Sequence, residues 1–157
     1  MGATEPFLRR LGSAWARLLR PATLVDMHEK LTEIGGIEEF ERLLAASNER
    51  PLLIFKYSAT CGTSAQALDE LLAHLNERPT DATYAIVTVQ THRDVSNAIS
   101  HTLGIRHETP QALLIRHGSV TWNASHYRVT ADAVESALKE ALHDAPGGGA
   151  SLQPTVQ

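Results

Sequence analysis

Two nearly continuous β-prone runs separated by a single amphipathic helix do the most to limit what this 157-residue chain can fold into. Leu52-Leu53-Ile54-Phe55-Lys56-Tyr57 has strand character, and Tyr84-Ala85-Ile86-Val87-Thr88-Val89 is of the kind buried on both faces in the middle of an α/β sheet. Between them Ala65, Leu68, Leu71, Leu72 and Leu75 recur at helical spacing, and Arg78-Pro79-Thr80-Asp81 closes the stripe. Strand, helix, strand is the βαβ unit, which predicts an α/β fold. The only cysteine, Cys61, falls between the first strand and the helix, where that helix begins and runs to about Asn76.

The flanking sequence extends this unit. Leu24 to Leu31 is a mixed segment suited to an edge strand, and Ile37, Phe40, Leu43 and Leu44 predict a helix over 37–47. Val95, Ala98, Ile99 and Leu103 predict another over 94–103, with Gly104 as its C-cap. Gln111 to Arg116 and Val120 to Ala124 read as two strands joined through His117-Gly118-Ser119, an antiparallel pair. Thr130 is a natural N-cap for a last helix, Ala131 to His143, with Val134, Leu138 and Leu142 at the buried spacing. The expected domain spans 23–144, with a central mixed sheet of four to five strands flanked by helices. Residues 145–157 lack an apolar period and are expected to be a disordered tail.

Charge is divided unevenly, with a formal −4 overall but +3 in residues 1–22, where Arg9, Arg10, Arg17 and Arg20 face only Glu5. On a helical wheel Phe7, Leu8, Leu11, Trp15, Leu18 and Leu19 fall within an arc of roughly 120°, with the arginines opposite. This predicts a basic amphipathic helix over 1–22, ended by Pro21. Three uses stay open for residues 7–20: docking on its own domain or a dimer mate, adsorbing to an anionic membrane surface, or binding another protein.

Composition removes several classes. One cysteine excludes an internal disulfide. No apolar run approaches the roughly 20 residues needed to span a bilayer, and no leader-like apolar region opens the chain, so a soluble cytoplasmic protein is expected. The acidic balance, with no basic stripe interleaved with aromatics, argues against nucleic-acid binding. The eight histidines are scattered without paired-ligand spacing, so no metal is expected.

The position of Cys61 carries the chemistry. A helix N-terminus offers unpaired N–H groups and a partial positive charge, which favour thiolate over thiol and lower the pKa from its free value of about 8.5. A lone cysteine can instead be a small buried hydrophobe. Thr60, Gly62, Thr63 and Ser64 are poor core neighbours, however, which favours a nucleophile. Ser64 can donate its hydroxyl to the sulfur but cannot resolve a mixed disulfide, so the site is monothiol.

The order of elements resembles that of thioredoxins. More specifically, residues from about 31 to 142 resemble the bacillithiol-system YtxJ proteins, or monothiol bacilliredoxins. The matching blocks are Ile54-Phe55-Lys56 with Ser58, Thr60-Cys61 with Ser64, and Val89-Gln90 with Arg93 and Val95-Ser96-Asn97. They continue through His107-Glu108-Thr109-Pro110-Gln111 and Trp122 with Ala124-Ser125-His126. The chain departs from the family at Tyr57 (usually His), Gly62-Thr63 (commonly Pro-Ile), Thr109 (Ser) and Tyr127 (Trp).

The resemblance implies a thioredoxin-like fold in which Cys61 attacks a protein mixed disulfide, takes bacillithiol onto itself and frees the client thiol. Bacillithiol is then a co-substrate, and the partners are S-thiolated client proteins and a low-molecular-weight thiol. It also implies that Thr109-Pro110 is cis, faces Cys61 and contacts the bound thiol or peptide. Thr60, Gly62 and Ser64 would shape the helix terminus. His107 would approach the thiolate as a cation, its alternative being a solvated loop histidine. Arg93, Ser96 and Asn97 would meet an anionic cofactor, the alternative being helix capping. Trp122, Ser125 and His126 are expected to be structural rather than catalytic. Cys61-Gly62-Thr63-Ser64 also echoes monothiol glutaredoxins, which hold iron–sulfur clusters. Their paired glycines after the cis-proline strand are absent here, so that activity, or a thioredoxin-like adaptor without exchange, ranks second.

Overall fold

The computed structural model describes residues 28–143; the expected N-terminal helix and the tail lie outside the described residues. Nine regular elements follow in order, apart from one 3-10 turn at His126–Arg128. They are β1 (Leu31–Glu33), α1 (Ile37–Ala46), β2 (Leu52–Tyr57), α2 (Gly62–Glu77), β3 (Thr83–Thr88), α3 (Arg93–Leu103), β4 (Gln111–Arg116), β5 (Ser119–Ser125) and α4 (Ala131–His143). The sheet order is β1-β3-β2-β4-β5. β1 and β2 run parallel to β3, whereas β4 is antiparallel to β2 and to β5. This is the mixed five-stranded sheet and thioredoxin-like topology that the element order predicts.

Alternation along the central strands gives the sheet two buried faces. Leu53, Phe55, Tyr84, Ile86, Ala112 and Leu114 point to α2 and α4, where Leu68, Leu71, Leu75, Val134 and Leu138 close over them. Leu52, Ile54, Ala85, Val87, Leu113 and Ile115 point the other way, to Phe40 of α1 and Val95 and Ile99 of α3. Each leucine, isoleucine, valine and phenylalanine among them contributes about 1.5–3 kcal/mol by leaving water, which is why the runs at 52–57 and 84–88 carry almost no polar residues. Lys56 shares the parity of Leu52 and Ile54 and is completely buried, a cation on an apolar stripe.

Three sequence expectations shift. Among the described residues the edge strand is Leu31–Glu33, which begins at the last residue of the segment expected to hold it and pairs with Tyr84–Ile86. The β4–β5 connection is two residues, not three: Ser119 already pairs with Arg116, and His117 (φ 50°) and Gly118 (φ 73°) form a tight turn of the positive-φ kind that matches strand twist. Ala65 is exposed; the buried stripe of α2 is Ser64, Ala67, Leu68, Leu71, His74 and Leu75. Gly104 caps α3 at φ 62°, and the Thr130 hydroxyl accepts the Ala133 N–H at 3.2 Å, as expected. No helix among the described residues is long and apolar enough to cross a membrane.

Candidate active site

Strand β2 ends at Tyr57, and four residues later Cys61 is the N-cap of α2 with extended backbone angles. Its carbonyl accepts the first helical bonds, from Ser64 N–H at 3.0 Å and Ala65 N–H at 3.2 Å. The sulfur is half-buried and unpaired. Its pKa lies below the ordinary thiol value, chiefly through the Ser64 backbone N–H, opposed by partial burial and helped by the Thr63 N–H and the Ser64 and Thr63 hydroxyls. The N–H groups and hydroxyls of the first helical turn therefore stabilise the thiolate.

The loop that presents Cys61 is braced from two directions. Ser64 is completely buried, and besides addressing the sulfur its hydroxyl accepts the Ser58 N–H at 3.2 Å. On the outer side Gln90, just past the end of β3, bonds to all three loop residues. Its Oε1 accepts the Ala59 N–H at 3.1 Å, and its Nε2 donates to Ser58 Oγ at 2.6 Å and to Thr60 Oγ1 at 3.2 Å. Gly62 meets nothing within 4 Å where a Cβ would stand and has no positive φ, so crowding does not require glycine there. Sequence reasoning noticed Gln90 only within a matching block and gave it no role.

The Thr109–Pro110 peptide is cis, with Pro110 buried and Thr109 half-buried. The Pro110 carbonyl accepts the His126 N–H at 3.0 Å, which ties the 3-10 turn to the proline; His126 takes φ 55° there, and Tyr127 beside it is 74% exposed. Gln111 fastens the preceding loop, donating to the Arg106 carbonyl at 3.0 Å and accepting from the Glu108 N–H at 3.4 Å. Ser125 is buried, and Trp122 packs against the α2–α4 face of the sheet.

His107 is placed differently from its expected part as a cation beside the sulfur. Its Nδ1 lies 2.8 Å from Lys56 Nζ and 3.3 Å from Ser96 Oγ. Desolvation, then the charges of Lys56 and Arg93, push its pKa below the ordinary value, so the ring is neutral near pH 7. Ser96 is completely buried against it and is not open to a cofactor. Arg93 and Asn97 are exposed at the start of α3, and His92, not Ser96 or Asn97, is the N-cap. Among the described residues no group of three or more histidines, cysteines or carboxylates is placed to hold a metal ion.

A free thiolate-prone cysteine capping a helix after the second strand of this sheet, with a cis-proline before the fourth, defines a thioredoxin-fold thiol redox protein. The chain belongs to the monothiol bacilliredoxin family BrxC, whose model matches residues 32–134. Among solved structures it is similar to a thioredoxin-fold protein described as an oxidoreductase, at 28% identity and TM-score 0.63, covering 69% of this chain and 94% of that one. The fold is shared with mitochondrial thioredoxin 3 of Saccharomyces cerevisiae, at 19% identity and TM-score 0.55, covering 70% and 94%. A thioredoxin variant from Halobacterium salinarum is similar at 20% and 0.57, covering 71% and 90%.

Proposed function

We propose that this protein is a cytoplasmic monothiol oxidoreductase that removes bacillithiol from S-bacillithiolated proteins. The observation that carries the reading is Cys61 itself: a lone, half-buried sulfur whose thiolate is favoured by the first turn of α2, in a chain of the bacilliredoxin family. The Cys61 thiolate attacks the bacillithiol sulfur of the mixed disulfide, the client leaves as its thiolate, and bacillithiol stays on Cys61 as a new disulfide. The chain has no second cysteine, so an external thiol, bacillithiol or a dithiol partner, resets it. Thr109 and Pro110 border the bound thiol across from Cys61 in this reading, and Arg93 and Asn97 offer donors to its anionic groups.

Mass spectrometry of a bacillithiol-modified model protein incubated with this chain tests the reading, with Cys61→Ser and a glutathione-modified substrate in parallel. The expected result is transfer of the bacillithiol mass to Cys61, absent in the variant and slower from glutathione. No transfer from either substrate would sink the exchange reading in favour of an adaptor or cluster-binding role.

A further inference from the structure

Lys56 is a buried titratable group that the exchange chemistry so far leaves unused. It stands one residue before the end of β2, in register with Val87 on one side and Gln111, which follows the cis-proline, on the other. Its ammonium donates to Ser100 Oγ at 2.8 Å and meets His107 Nδ1 at 2.8 Å. No carboxylate is bonded to Lys56 or His107 among the described residues. A buried cation without a counter-ion is costly, and burial accordingly pushes Lys56 down to about 8, still protonated near neutrality.

Such an ammonium has three donors and no acceptor. The Nδ1 facing it must therefore be the acceptor, which leaves the imidazole proton on Nε2. The Ser96 hydroxyl at 3.3 Å adds a second donor to the same nitrogen. Nδ1 is turned inward while His107 as a residue is exposed, so Nε2–H lies on the open edge of the ring, two residues before Thr109-Pro110. The charges facing the ring are Lys56 from β2 and Arg93 from α3, with Arg106 and Glu108 flanking it on its own loop.

We propose that Lys56 is a positioning residue for the exchange reaction, fixing His107 as a neutral imidazole whose outward Nε2–H serves the thiolate that leaves the substrate disulfide. This rests on the exchange reading above. As Cys61 forms its new S–S bond, the old S–S electron pair departs on the client sulfur. Nε2 gives that sulfur its proton as Nδ1 takes one from Lys56. After the client thiol has left, Nε2 takes a proton from water and Nδ1 returns its own to the amine, which restores the Nε2–H imidazole and the ammonium.

Two measurements on the full chain test the proposal. Imidazole 15N shifts read the tautomer directly: His107 is expected to be neutral and Nε2–H near neutral pH, and in Lys56→Met to lose that tautomer preference while its titration moves up. A ring protonated on Nδ1, or one unchanged in Lys56→Met, overturns the proposal. Leaving-group dependence reads the proton: with rates normalised to Cys61 alkylation, His107→Ala is expected to slow mixed disulfides with alkyl leaving thiols at least about tenfold, and those with acidic aryl leaving thiols less than about twofold. Equal loss on both, or none, overturns it. A wild-type chain inert to both disulfides, with Cys61 still alkylated, sinks the exchange reading and the leaving-group role together; a reactive wild type with the wrong tautomer sinks this proposal alone.

Discussion

Ser64 and His74 lie on the buried face of α2 and show how differently two buried polar side chains can act. The Ser64 hydroxyl accepts the Ser58 N–H and addresses the sulfur, so its burial couples the end of β2 to the nucleophile. His74 has only one partner: Nε2 meets the Tyr84 hydroxyl at 2.9 Å, while Nδ1 is buried with none. Tyr84 is held separately by Thr80, through its N–H at 3.1 Å and its hydroxyl at 2.8 Å. Burial pushes His74 below the ordinary histidine value, with Glu135 opposing and Arg78 assisting. Above about pH 6.5 folded and unfolded rings are both neutral and no penalty arises. As pH falls below that value the unfolded ring takes up a proton before the folded one does, so stability declines until the folded value is passed. His74→Leu is therefore expected to flatten the loss of stability between about pH 7 and about pH 5, read as urea midpoints. A variant curve as steep as wild type would place the titrating group elsewhere.

At the scale of elements, the β2–α2 connection is what turns a helix start into a site. Its braces come from α2 itself, through Ser64, and from the end of β3, through Gln90. Because Gln90 is exposed, its truncation leaves both apolar faces intact. Gln90→Ala is expected to change stability by no more than about 1 kcal/mol per lost bond while the Ala59 amide exchanges faster and thiol transfer slows severalfold. Unaltered Ala59 protection would show that the loop holds without this brace. The elements themselves were largely legible, because β2, β4, α4 and the start of α2 are announced by nearly unmixed apolar runs, by Thr130 and by the change to helical spacing at Cys61. Two kinds of feature were not. The place of β1 depends on where a three-residue edge finds its partner in β3, which leaves little pattern of its own. The Lys56–His107 contact joins residues 51 apart in sequence, so neither periodicity nor spacing could show that His107 faces an ammonium and not the sulfur. Lys56 did carry a local signal: it is the one charge inside an otherwise apolar strand.

Over the whole molecule, the sheet is covered on both faces by helices contained within 28–143, and the site lies at the end of β2 from which α2 departs. Large side chains of the central strands are already closed over by α1 and α3 on one face and by α2 and α4 on the other. The family match likewise begins at residue 32, beyond the basic segment of residues 1–22. The buried side chains of the described residues thus form a core among themselves, and the expectation that follows is that the basic segment of residues 1–22 is not needed to complete it. Deleting residues 1–22 is expected to leave one cooperative transition within roughly 4 °C of the full chain, and thiol transfer by Cys61 within about twofold. If unfolding instead lost its cooperativity, that segment would have to cover part of the sheet or of α1–α4. If folding held but transfer collapsed, the segment would have to act at the site itself. Unchanged folding and chemistry would leave residues 7–20 the task of meeting something other than their own domain, a membrane surface, a second copy or another protein, and the basic charge opposite their apolar stripe suits an anionic one.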